Sequence, residues 1–133
     1  MTNPIRSELE IKLLNWAASQ VPPVPVSLEN VAFNKPSISN VFVEAFFMPT
    51  MTTNPTVDGL RKRDIGIFQV NCFAPIGKGM GQVESLAASI VNLYPVIPKT
   101  GNVSVEQTPN SAKPYEDTNW IVIPVTVKFR YEY

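Results

Sequence analysis

The sequence contains no histidine and a single cysteine, Cys72. A chain without histidine lacks the usual general base near neutral pH and the commonest zinc ligand, which argues against metal-assisted hydrolysis. A lone cysteine cannot form an intrachain disulfide, and that fits a reducing compartment. An excess of either charge is also missing: 11 Lys plus Arg balance 11 Asp plus Glu. No global field therefore steers the protein toward nucleic acid or an anionic membrane, so partners must be recognised by shape and local pattern. No apolar run approaches the roughly 20 residues of a membrane span. The opening "MTNPIRSELEIKLL" is polar where a signal peptide needs an apolar core, so the chain is expected in the cytosol when made.

What is present suits one α+β domain spanning residues 1–133, a length able to bury roughly two-thirds of its unfolded surface. Asn3 and Pro4 read as a cap and a first helical residue. Ile5, Leu9, Leu13, Trp16 and Ala17 then recur at helical spacing. The helix must stop by "VPPVPV", whose prolines favour extended geometry. That stretch reads as a stiff connector in preference to a ligand for a partner's aromatic groove. "NVFVEAFFMP", dense in Val and Phe and ending at Pro49, reads as a central strand. The following "TMTTNPTVDGLRKRD", with Pro55, Asp58 and Gly59, reads as a long exposed hairpin loop reaching outward.

In "DIGIFQVNCFAPIGKGMG", Phe68, Val70 and Cys72 alternate with Gln69 and Asn71, the period of a half-buried strand. Val83, Leu86, Ala87, Ile90, Val91 and Tyr94 form the stripe of a second helix, which Pro95 ends. "NVSVEQ" is a short strand candidate, and a polar loop follows it. Ile121, Ile123, Val125, Val127, Phe129 and Tyr131 share one parity of a long last strand, with Pro124 arguing for an edge position or a bulge. The predicted fold is a mainly antiparallel or mixed sheet of four to five strands packed with two helices. Phe68, Val70, Ile90, Val125 and Val127 are expected in its core.

Few side chains invite chemistry. Gly77, Lys78, Gly79, Met80 and Gly81 lie between a strand and a helix, the right place for a phosphate cradle. Their spacing matches neither G-x-x-x-x-G-K-[ST] nor G-x-G-x-x-G, so a flexible turn is the better reading. Cys72 stands mid-strand on the predicted core face with no histidine to activate it, as a buried thiol. Glu116 and Asp117 are adjacent in a polar loop and read as solvated groups, not an acid–base pair. Arg61, Lys62 and Arg63 suit a contact with an acidic protein surface better than a nucleic-acid site. Tyr115 and Trp120 read as packing anchors. No cofactor or metal is implied.

The succession "VFVEAFFMP", a variable polar loop, "RDIGIFQVNCFAPIGKGMGQVESLAASIVNLY" and "WIVIPVTVKFRYEY" resembles the tail terminator-like proteins of long-tailed bacteriophages and prophages. In that family a strand of the type G-x-x-Q-V-x-x-F ends in a proline and a glycine-containing turn before the second helix. Gly66, Gln69, Val70, Phe73, Pro75 and Gly77 take those places here. The proline-rich connector and "YEDTN" fall outside the pattern.

The resemblance implies a structural protein, not an enzyme, that forms a ring, typically a hexamer, on the last ring of the tail tube, stops tube growth and presents a surface to the head. Its partners would be further copies of itself, the tail tube protein and a head-completion or connector protein, with no membrane and no specific nucleic acid. Its place would be the tail–head junction of the virion, reached from the host cytoplasm. Asp58, Leu60, Arg61, Lys62 and Arg63 are the expected contact residues in the hairpin loop. Another head–tail joining or tail completion protein is the alternative in the same setting, and a small nucleotide-binding enzyme using Gly77 to Gly81 is the alternative in a different class.

Overall fold

The computed structural model describes residues 2–20, 23–33, 41–54, 56–97 and 103–132, with side chains from Ile5 onward. The side chains of Asn3 and Pro4, together with Val21, Pro22, Asn40, Pro55, Asn102 and Tyr133, belong to segments read above and lie outside the described residues.

The first helix, α1 (Thr2–Ser19), places Ile5, Leu9, Leu13 and Ala17 on one buried line because four-residue steps keep close to one face of a 3.6-residue helix. It begins just ahead of Asn3, which therefore sits in the first turn and not before it. Beyond it the N–H of Val24 returns to the Ala17 carbonyl at 3.1 Å. The chain then runs extended into β1 (Val26–Ser27), which pairs in parallel with the start of β2 (Phe42–Thr53). From Pro23 onward the proline-rich connector thus leads into a short edge strand.

Strand β2 pairs antiparallel with β3 (Arg63–Pro75), after which α2 (Gly81–Leu93) leads to three short pieces, β4 (Ser104–Val105), β5 (Asn110–Ser111) and β6 (Tyr115–Asp117). The last strand, β7 (Trp120–Glu132), pairs antiparallel with β3 over its whole length and with β4, β5 and β6 along its other side. The sheet order is β1-β2-β3-β7 with the short pieces outermost, seven strands in an α+β fold instead of the four to five expected. The polar segment read as loop contributes β5 and β6, two- and three-residue pieces too short to show a period.

Cross-strand triplets set the core. Val43–Cys72–Ile123, Ala45–Val70–Val125 and Phe47–Phe68–Val127 stand side by side on one face. They join Ile5, Leu9 and Leu13 of α1 and Val83, Leu86, Ala87 and Ile90 of α2 in one buried cluster. The five expected core residues are all in it and fully buried. The Tyr94 hydroxyl, at the end of α2, donates to the Leu9 carbonyl at 2.7 Å and ties the helices together. A smaller cluster on the opposite face stacks Phe42 on Phe73 at 4.4 Å, with Trp120 edge-on at 4.8 Å. Trp120 is the packing anchor expected of it, whereas Tyr115 is 46% exposed.

Two further expectations need correction. The loop expected from Thr50 is shorter: a bulge between Pro49 and Met51 absorbs one residue, and β2 runs on through Thr53 against Asp64 and Arg63. Only residues 54–62 connect the strands. Pro124 lies neither on a sheet edge nor at a bulge of β7. Its carbonyl accepts from Ala112 N–H at 2.8 Å, so its donorless nitrogen points to the same side, between β5 and β6, where the partner strand is interrupted.

Candidate assembly interface

The hairpin joining β2 and β3 carries Asp58, Leu60, Arg61 and Lys62, four of the five residues expected to make contacts, and the fifth, Arg63, opens β3. Its tip is closed by its own hydrogen bonds. Asp58 Oδ1 accepts from Thr56 Oγ1 at 2.6 Å and from Leu60 N–H at 3.0 Å, while Gly59 N–H donates to the Thr56 carbonyl at 3.2 Å. The Thr56 hydroxyl first, and then the Leu60 amide, hold the Asp58 carboxyl below its usual range. Gly59 adopts φ of +70°, a conformation that disfavours a side chain. The turn therefore holds its shape while presenting Val57, fully exposed, and Leu60, 81% exposed.

The three cations are not one set. Arg61 and Lys62 are exposed on the limb of the arm. Arg63 is the first residue of β3 and donates through Nη2 to Glu132 Oε1 at 3.1 Å, where Arg130 Nε also lies at 3.2 Å. Such half-exposed pairs contribute at most about 1 kcal/mol each. Below them Asp64 is 1% exposed, accepting from Thr52 Oγ1 at 2.5 Å. Its burial was not legible, because "RKRD" reads as a solvated run until the register across β2 is known.

The face of the sheet away from the helices carries Phe46, Ile65 and Ile67, half-buried, and Met48 and Met51, exposed. Charge surrounds this stripe, with Lys128 and Arg130 opposite Ile67 and Ile65 on β7. The free edge of β2 is blunted instead of left open: Glu29 Oε1 accepts the Phe47 amide at 2.6 Å and also meets Arg6 at 3.1 Å, and Pro49 has no amide to offer. Sequence reasoning did not single out Val57, Met48, Met51 or Glu29. Apolar side chains inside a polar loop were the signal for Val57; Glu29 gave none, since its partner is 18 residues away.

The groups considered for chemistry do not converge. Gly77 and Gly79 adopt φ of +85° and +78° in an exposed turn before α2. These are the left-handed conformations that reverse a chain cheaply with glycine, and they answer to the reading as a turn. Burial pushes the Cys72 thiol up to about 12, so it is not a thiolate at neutral pH. Glu116 and Asp117 are exposed on β6. Among the described residues no group of His, Cys, Asp and Glu could hold a metal, and no helix is long and apolar enough to cross a membrane.

A shallow groove of about 450 Å³ lies on the far side of β7, between α2 and the segment from Ser111 to Pro114. Sequence reasoning could not find it, because its two walls are brought together only by the pairing of β5 with β7.

A family model described as phage tail terminator protein matches residues 4–129. One solved structure is 28% identical to the chain and superposes with a TM-score of 0.78, over 98% of this chain and 94% of that one. No curated protein matches the sequence significantly.

Proposed function

We propose, because this chain belongs to the phage tail terminator family and so has a structural role in phage tail assembly, that its copies close into a hexameric ring on the end of the tail tube. The ring ends tube polymerisation and offers the surface on which the head is joined. Its contacts are with neighbouring copies, with the tube protein and with a head-completion or connector protein, at the tail–head junction, after synthesis in the host cytoplasm. No catalysis is involved.

The observation that carries this reading is the projecting β2–β3 arm. A self-closed turn holds two exposed aliphatic side chains beyond the core, and its limb carries exposed cations. A surface of this kind serves contact between proteins, with charge speeding encounter and apolar side chains supplying affinity. The opposite face of the sheet, with its stripe from Phe46 to Ile67, is a second contact surface suited to stacking on another ring.

The test is a phage or prophage lacking this gene, examined by electron microscopy with and without complementation. Tubes of uncontrolled length without heads are the expected result. Tubes of normal length that merely lack heads would overturn termination in favour of a joining protein, and normal particles would overturn both.

A further inference from the structure

The apolar tip of the β2–β3 arm and the groove beside α2 lie at opposite ends of the sheet. Arg63, where the arm begins, pairs with Glu132, while Cys72 pairs with Ile123 in the groove floor. Nine steps along β3 separate the two points, about 30 Å at a strand's rise of about 3.3 Å per residue. The arm extends away from that end, so it cannot reach the groove of its own chain. They also lie toward opposite borders of the sheet: the arm joins β2 to β3, whereas the groove is bounded by β5, outboard of β7.

The two surfaces are complementary. The groove is lined by Ala87, Ala88 and Val91 of α2 and by Ala112, Pro114 and Ile123, mostly small or apolar side chains that leave room for two branched aliphatic groups. Val57 and Leu60 are two such groups, exposed on a turn that is already closed, so little order is lost when they are buried. Charges match as well. Glu84 lines the groove and Lys113 stands between two of its lining residues, one charge of each sign. The arm brings Asp58 on its tip and Arg61 and Lys62 on its limb.

We infer that the arm of one copy docks in the α2 groove of the next, Val57 and Leu60 entering the apolar floor while Arg61 or Lys62 faces Glu84 and Asp58 faces Lys113. The contact uses two different patches, so a bound pair is left with one unused arm on one copy and one unused groove on the other. Repeated around an axis it closes a ring, and only a geometry that fails to close would give a filament. This assignment rests on the ring proposed above and identifies the lateral contact within it.

The test uses the full chain, in tails assembled in infected cells and as purified protein. Leu60→Cys and Ala88→Cys are introduced together, and the buried Cys72 stays unreactive. A short bis-maleimide should then give a ladder of covalent oligomers from the double variant and none from either single variant. An amine-reactive cross-linker run in parallel reports assembly of any geometry. A ladder with the amine reagent but not with the bis-maleimide overturns the arm-in-groove contact and leaves the ring standing. No ladder with either reagent, in tails or in solution, overturns the ring and the contact with it.

Variants give a second reading. Val57→Asp with Leu60→Asp disables the arm, and Ala88→Arg fills the groove; circular dichroism and melting confirm that each folds. Each variant alone should remain monomeric, and an equimolar mixture should stop at a heterodimer, because only one intact arm and one intact groove remain to meet. Full oligomers from either variant alone would refute the contact.

Discussion

Gly66 offers a sharp test of the register and of the bulge that shape the arm. A Cβ built there would lie 2.6 Å from the Met48 carbonyl oxygen, 2.7 Å from Cζ of Phe129 and 2.9 Å from Cα of Pro49. Two of these neighbours are backbone of β2 immediately before the bulge, and the third belongs to a ring 1% exposed and stacked on Phe47 at 5.1 Å. None can withdraw without moving a strand or an aromatic pair. Gly66→Ala should therefore cost about 1 to 3 kcal/mol for overpacking, and about 0.5 to 1.5 kcal/mol more if the Phe47–Phe129 stack is disturbed. The lower backbone entropy cost of alanine offsets about 0.5 to 1 kcal/mol.

The net expectation is about 2 kcal/mol, a fall in Tm of roughly 6 to 10 °C for a chain of this size. Urea unfolding and calorimetry measure it directly. Phe129→Leu removes one of the three collisions, so it should cost at least about 0.5 kcal/mol less in the Gly66→Ala background than in the wild type. A Gly66→Ala variant within about 0.5 kcal/mol of wild type, or a cycle without coupling, would refute the close approach of β2, β3 and β7 at this point.

Phe68→Ala should cost about 3 to 5 kcal/mol in urea unfolding, because the side chain is fully buried and meets Tyr94 edge-on at 5.8 Å. Alkaline titration should weaken the fold, since burial raises Cys72 from 9.0 to about 12 and raises Tyr94 as well. Both groups keep their protons longer when folded, so this stability is complete below pH about 9; the share from Cys72 is lost between there and pH about 12, at up to about 1.4 kcal/mol per pH unit, and the share from Tyr94 begins to fall only above pH about 10. Cys72→Ala should flatten that part of the pH profile of unfolding. Arg61→Glu with Lys62→Glu should leave Tm within about 1 °C and yet lower the yield of infectious particles, whereas adding Arg63→Glu should also lower Tm slightly, because Arg63 is the one of the three that is paired among the described residues.

Much of this architecture was legible because its signals are local. The stripe from Val83 to Tyr94 and the parity from Ile121 to Phe129 need only the periods of a helix and a strand, and both face the core as the periods require. What was missed depends on partners distant in the chain. Thr50 to Thr53 reads as loop after Pro49, but β3 supplies the hydrogen-bonding partner that carries the strand through a bulge. The short pieces β5 and β6 exist only because β7 leaves its outer side open to pairing, and Pro124 fits there because that row of pieces is interrupted beside its nitrogen. The outward exposure of Asp58, Leu60, Arg61 and Lys62 was legible from a polar segment rich in turn residues, but the separation of Arg63 from Arg61 and Lys62 needed the position of Glu132. The groove, made by elements about 20 residues apart, left no mark on the sequence at all.

The central claim is that this chain caps the tail tube as a ring, and imaging of purified tails by cryo-electron microscopy tests it most directly. The expected map shows a single hexameric ring of this fold at the head-proximal end of each tube, with no copies along the shaft. A map with the fold repeated along the tube, or with a different protein forming that last ring, would contradict it.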